Sequence, residues 1–188
     1  MGTEVDGPSP VSEERRLYVV VSGPPASGKS TLAPRLAAEL RLPLIAKDTI
    51  KDALMSVLAV PDVETSRQIG GAAVAAMLAV AAESVPGAVI ESNFRRSLAT
   101  DSLARLPGTV MEVFCRCSRE TAAARYEARA GSRHAGHFDR ERTPTELWNE
   151  QISEPVAGGW PVIEVDTEQP VDIAELVQRI DTLAEHSA

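Results

Sequence analysis

Residues 19–31 read VVVSGPPASGKST. Three valines run into a turn of glycine and proline, and the turn closes on Gly28-Lys29-Ser30-Thr31. The spacing is a glycine, four residues, then Gly-Lys-Ser, set between a strand pattern and a helix pattern. Such a turn aims successive backbone N–H groups at a phosphate chain, and the helix that follows adds the positive end of its dipole. Gly23, Pro24, Pro25, Ala26, Ser27, Gly28, Lys29, Ser30 and Thr31 are therefore the expected cradle for a nucleoside triphosphate. Lys29 would bridge the β- and γ-phosphates, and the Ser30 hydroxyl would ligate Mg²⁺. A plain glycine turn with an exposed lysine is the competing reading, and the flanking strand and helix weigh against it.

Outward from the loop, strand and helix patterns alternate. Leu17 to Val21 is a continuous apolar run suited to a parallel strand covered on both faces. A helix is expected from Lys29 to Leu40, with Leu32, Leu36, Ala37 and Leu40 as its inner stripe. Pro43 to Ala46 reads as a second strand, Asp48 to Leu58 as a helix, and Asp62 to Glu83 as an Ala-rich helix that Gly70-Gly71 would break or kink. Further strands are expected at 88–90, 110–115 and 162–165. Helices are expected at 118–129, capped by Ser118, and at 171–185. The expectation is a three-layer α/β fold of the P-loop type: a five-stranded parallel sheet, helices on both faces and active-site residues just after the strands. Residues 1–14 read as a polar disordered tail, and 15–188 as one domain with a lid over about 125–143.

The composition narrows the partners. The chain has 188 residues, 44% hydrophobic, and a formal net charge of −8. That acidity disfavours a nucleic-acid backbone, though a local basic groove could override it. No apolar run has the length of a bilayer, no apolar signal region opens the chain, and Asp6 stands where a myristoylation motif needs Ser or Thr, so a cytoplasmic protein without a membrane partner is expected. Lys29, Lys47 and Lys51 are the only lysines in a chain that otherwise uses arginine, and all three lie between the loop and the segment after the second strand. Cys115 and Cys117 read as buried thiols. A zinc set with His134 and His137 has the wrong spacing for the common fingers.

No Asn-Lys-x-Asp, Asp-x-x-Gly or Leu-Ser-Gly-Gly-Gln sequence is present, which leaves a small phosphotransferase rather than a GTPase or a transporter ATPase. After the second strand comes Lys47-Asp48-Thr49-Ile50-Lys51. Here the chain resembles the small P-loop kinases that include polynucleotide kinase, chloramphenicol phosphotransferase and zeta-type toxins. The resemblance spans about 17–185. It implies that Asp48 faces the acceptor hydroxyl, with Lys51 beside the acceptor; Asp48 also suits the cap of the following helix, and the two roles are compatible. It places Glu91, at the end of the third strand, where a carboxylate holds Mg²⁺ through water, although Asp is commoner there. Asn93 and Arg95 would line the acceptor side, or form only a polar loop. Arg125 and Arg129, one helical turn apart, with Arg133 and His137 beyond them, would close over phosphates and substrate; solvated arginines are the alternative. The 166–170 loop would pack on adenine or be a simple turn. The implied activity is transfer of the ATP γ-phosphoryl group to a hydroxyl of a small molecule. A polynucleotide 5′-hydroxyl kinase and a slow nucleotide-binding regulatory or toxin-type module are the alternatives.

Overall fold

The computed structural model describes residues 16–129 and 135–186; the expected tail at 1–14, together with Arg133 and His134, lies outside them. Five strands, β1 (Leu17–Ser22), β2 (Leu44–Ala46), β3 (Gly87–Glu91), β4 (Thr109–Arg116) and β5 (Val162–Asp166), pair in the order β2-β3-β1-β4-β5. Every pairing is parallel. The chain leaves β1 first to one side of the sheet and later to the other, so the carboxyl end of β1 lies at the switch point where ligands of such sheets bind.

Successive β1 side chains point to opposite faces and seed two cores. Val19 and Val21 pack with Leu36 of α1 (Lys29–Leu40) and Ile180 of α8 (Ile173–His186). Tyr18 and Val20 pack with Met77 of α3 (Val63–Glu83) and Leu103 of α4 (Arg96–Leu103). Both faces are thus covered by helices, which is why β1 carries no polar alternation.

Between α2 (Lys47–Met55) and β3 the structure departs from expectation. α3 runs unbroken through Gly70 and Gly71, because its other turns are anchored by Ile69, Ala73 and Met77 in the core. α2 is capped at the backbone of Ala46, so Asp48 lies in its first turn and is not its cap. The short helix α4 falls in a stretch given no element in the sequence reading. The segment after α5 (Arg119–Arg129) holds two short 3-10 turns, Ala135–His137 and Asp139–Glu141, and the small helices α6 (Pro144–Leu147) and α7 (Glu150–Ser153). Ser118 caps α5 as expected, its hydroxyl accepting from the Thr121 N–H at 3.2 Å.

Candidate active site

The loop between β1 and α1 is tightly seated. Gly23 has a φ of 134°, and a side chain there would collide with the Cys115 carbonyl of β4. Gly28 also has a positive φ, 93°, and a Cβ there would meet Thr167 at 3.0 Å. Glycine is required at both positions by conformation and by close approach. Ala26 adopts φ 64° without that freedom. The turn is held by Thr167, whose hydroxyl donates to the Ser27 carbonyl at 2.7 Å.

Lys29 is buried and donates to the Pro24 carbonyl at 2.7 Å. Burial pushes its ammonium below the usual lysine range, and the nearby Glu91 carboxylate opposes that shift. Glu91, 7% exposed, is pushed the other way: burial raises its carboxyl above the ordinary value, against the pull of Lys29. Ser30 donates to Glu91 at 3.3 Å. The hydroxyl predicted for Mg²⁺ and the carboxylate after β3 therefore meet at one point. A hydroxyl and a carboxylate beside a phosphate cradle suit a hard cation that keeps several waters and shares its remaining ligands with phosphates. Among the described residues no cluster of three His, Cys, Asp or Glu forms a self-sufficient metal cage.

Asp48 stands next to this pair. Its charge acts on both Lys29 and Glu91, and the Lys47 ammonium sits 2.8 Å from its carboxylate. Lys51 is buried, with its ammonium donating to Ser66 of α3 at 2.7 Å. Asn93 and Arg95 follow β3 on the same side.

Two cavities share the loop. The first, ≈460 Å³, is bounded by the loop, Arg125, Arg129, Thr167 and Pro170. Arg125 donates to the Thr167 carbonyl at 3.0 Å, and Arg129 lies over the Tyr126 ring at 5.3 Å. The second, ≈140 Å³, contains Asp48, Lys51, Asn93, Arg95 and His137, with Arg129 again on its wall. The sequence candidates thus divide into a phosphate side and an acceptor side, with Arg129 between them. Arg133 lies outside the described residues.

Several residues that complete the site were not singled out from the sequence. Tyr126 donates to Asp139 at 2.9 Å, Trp148 donates to the Pro25 carbonyl at 3.3 Å, and Arg67 pairs with Glu146. Asp52, also not singled out, lies 2.6 Å from the buried ring of His137, itself a sequence candidate. The available signal was rarity: the chain has two tyrosines and two tryptophans, and one of each stands here. The cysteines are unpaired, and burial pushes the Cys115 thiol up to about 12, which makes it an inert core residue.

Among the described residues no helix is long and apolar enough to cross a membrane. A search of curated proteins finds no significant match. Among solved structures the chain is similar to a protein of Chloroflexus aurantiacus assigned provisionally as a kinase, with 27% identity, a TM-score of 0.78 and coverage of 94% of this chain and 100% of that one. It is similar to a gluconokinase of Sinorhizobium meliloti at 25% identity and a TM-score of 0.60, covering 92% and 97%. An APS kinase of Mycobacterium tuberculosis, in complex with AMPPNP and APS, shares the fold at 18% identity and a TM-score of 0.60, covering 91% and 98%. Residues 19–155, most of the chain, match the AAA domain family. The chain belongs to the AAA domain family, and its nucleotide loop, parallel sheet and structural neighbours make it a P-loop phosphotransferase of the small-kinase kind.

Proposed function

We propose that the protein transfers the γ-phosphoryl group of ATP to a hydroxyl of a small molecule held beside Asp48. The observation that carries this reading is the position of Asp48: it borders the second cavity and acts electrostatically on Lys29 and Glu91 of the phosphate loop.

The loop amides and Lys29 hold the triphosphate, with Lys29 exchanging the Pro24 carbonyl for phosphate oxygens. Ser30 and Glu91 would hold Mg²⁺, which supplies charge neutralisation on the phosphates when bound. Asp48 orients the acceptor and takes its proton as the hydroxyl oxygen bonds to the γ-phosphorus. The bond to the β–γ bridging oxygen breaks, and ADP leaves with that electron pair. Arg125 and Arg129 neutralise charge that builds on the transferring group. With His137, which borders the second cavity beside Arg129, they would form the lid side of the site. The 166–170 loop would pack on the base, a reading supported by Gln169 and Pro170 in the wall of the phosphate cavity.

Replacing Asp48 with Asn tests the assignment. Transfer should fall by about 10²–10⁴-fold, the usual contribution of a general base, while nucleotide affinity measured by calorimetry holds. Transfer at the wild-type rate in Asp48→Asn would remove Asp48 from the chemistry. A slow nucleotide switch is the alternative this experiment separates, because it would keep both affinity and turnover.

A further inference from the structure

A third cavity, ≈460 Å³, opens between α3 and α4 and shares Lys47, Lys51, Asn93, Arg95 and Arg142 with the cavity that holds Asp48. Its body is apolar, walled by Val74 and Leu78 of α3 and by Phe94, Leu98 and Ala99. Its rim carries Lys47, Lys51, Arg67, Arg95 and Arg142, and among the described residues no Asp or Glu lines it. Five cations with no carboxylate form an unusual wall in a chain whose net charge is −8.

The cations are not equally committed. Lys47 is paired with Asp48, and Arg67 with Glu64 and Glu146. Lys51 is buried, and one of its contacts is the Ser66 hydroxyl. Arg95 and Arg142 make no ion pair within 4 Å among the described residues, although the Arg142 charge helps to hold the Glu146 carboxyl down. A positive rim over an apolar floor is complementary to a molecule with an anionic end and an apolar body. A guanidinium pair suits a planar oxyanion in particular.

We infer that the acceptor-side cavity takes an amphipathic oxyanion: a small hydroxyl-bearing molecule whose apolar body lies between α3 and α4 and whose carboxylate or phosphate is held by Arg95 and Arg142. Its hydroxyl then reaches Asp48, so the inference names the acceptor class for the proposed transfer and rests on that reading for the reaction only. A sugar or polyol has no use for the apolar wall, and an uncharged apolar alcohol has none for the rim.

The test measures binding and transfer separately on the full chain. Calorimetry and thermal shift are run with mandelate and 3-phenyllactate as hydroxy carboxylates and phenyl phosphate as the phosphate probe. Methyl mandelate is the neutral match, gluconate the polar-bodied anion, and glucose the uncharged polyol. Phosphoryl transfer from ATP is followed for the hydroxyl-bearing compounds of this set and for a 5′-hydroxyl oligonucleotide, with phenyl phosphate serving as a binding probe alone. Mandelate or phenyllactate should bind about tenfold or more tightly than methyl mandelate and gluconate, the scale of one charged hydrogen bond and of the apolar contact. Tighter binding of phenyl phosphate than of mandelate marks phosphate as the anionic group, and the reverse order marks carboxylate. Arg95→Gln with Arg142→Gln should erase the preference for the acid over its ester.

Gly71→Leu provides a second, independent variant. Gly71 lines the cavity and a Cβ there meets nothing within 4 Å, so a larger side chain can be placed at this wall. It should weaken every apolar-bodied ligand about tenfold at an undiminished melting temperature. Equal binding of mandelate and methyl mandelate, preference for gluconate or glucose, or labelling of the oligonucleotide instead of any monomeric acid overturns the inference. Binding of the acids without transfer to any of them leaves it standing and counts against Asp48-directed transfer to the hydroxyl of the bound acid. Transfer to glucose with no binding of the acids does the opposite.

Discussion

Glu91 and Lys29 show how an active site spends stability at single positions. Both are buried, and burial disfavours the charged form of each despite their mutual attraction. For Glu91 the folded value lies above the ordinary 4.5, so between that value and its own raised one the folded chain binds more protons than the unfolded chain. Stability therefore falls as pH rises through this window, and the penalty is complete once pH exceeds the raised value. Glu91→Gln should melt at a higher temperature than the unaltered protein at pH 7, and should lack the decline that Glu91 contributes above pH 4.5. A scan of melting temperature against pH without nucleotide reads both, and a lower melting temperature for the variant would refute the account. The positions of these groups are legible in the sequence because Gly23, Gly28 and Lys29 stand at fixed spacing and Glu91 ends an apolar run. The acid–hydroxyl meeting of Ser30 and Glu91 was expected only through the family resemblance.

At the scale of elements, the legible parts are those whose own periodicity dictates them. β1, α1, β4 and α8 bury a continuous run or a clean stripe, and each was expected within a few residues. α3 is legible as one Ala-rich helix over 62–83, with Gly70-Gly71 as the place for a break or kink, since glycine lacks the side chain and the restricted backbone that favour a helix. Tertiary packing of Ile69, Ala73, Met77 and Ala81 outweighs that local cost. The cost should still be measurable. Gly71→Ala, at an exposed helical position with open space around a Cβ, should raise the unfolding free energy by about 0.5–1 kcal/mol, read as a higher urea midpoint at constant m-value. No gain would mean that Gly71 is held in a conformation that alanine cannot share. α4 escaped notice because its apolar positions, Leu98, Ala99 and Leu103, are too few to set a period, and one of them faces the third cavity rather than the core.

Across the whole molecule, the described part of the arm between α5 and β5 is fastened by contacts remote in sequence. His137 meets Asp52, Glu146 meets Arg67, Trp148 meets Pro25 and Glu154 meets Arg96 at 2.6 Å. Four-residue helices and 3-10 turns carry no period of their own, so neither α6 nor α7 could be read from the sequence, and the expected lid ended before them. The seat of Trp148 on the phosphate loop, with its ring edge-on to Tyr126 at 5.7 Å, makes it an optical probe. In a Trp160→Phe background Trp148 is the sole tryptophan, and its emission should change in intensity or wavelength as ATP or a non-hydrolysable analogue saturates the loop. Invariant emission through a calorimetrically confirmed binding curve would detach the arm from the loop.

Glu112 gives the arm its second root. This fully buried carboxylate in β4 accepts from the Ser22 hydroxyl at 2.5 Å, from the Val156 and Ala157 amides at 2.8 and 2.9 Å, and from the Trp160 indole at 3.2 Å. It joins the base of the phosphate loop to the chain entering β5. β5 then pairs with β4 from Val162 to Asp166, and Ile163 and Val165 join Leu176 and Ile180 in the core. The C-terminal quarter is thus a separable piece that completes the sheet edge by ladder, core and carboxylate together. Two polypeptides made by a cut within the arm, one bearing the triphosphate loop and the other the closing strand, should therefore co-purify when expressed together, and failure to associate would show that the chain connection is needed to hold the edge.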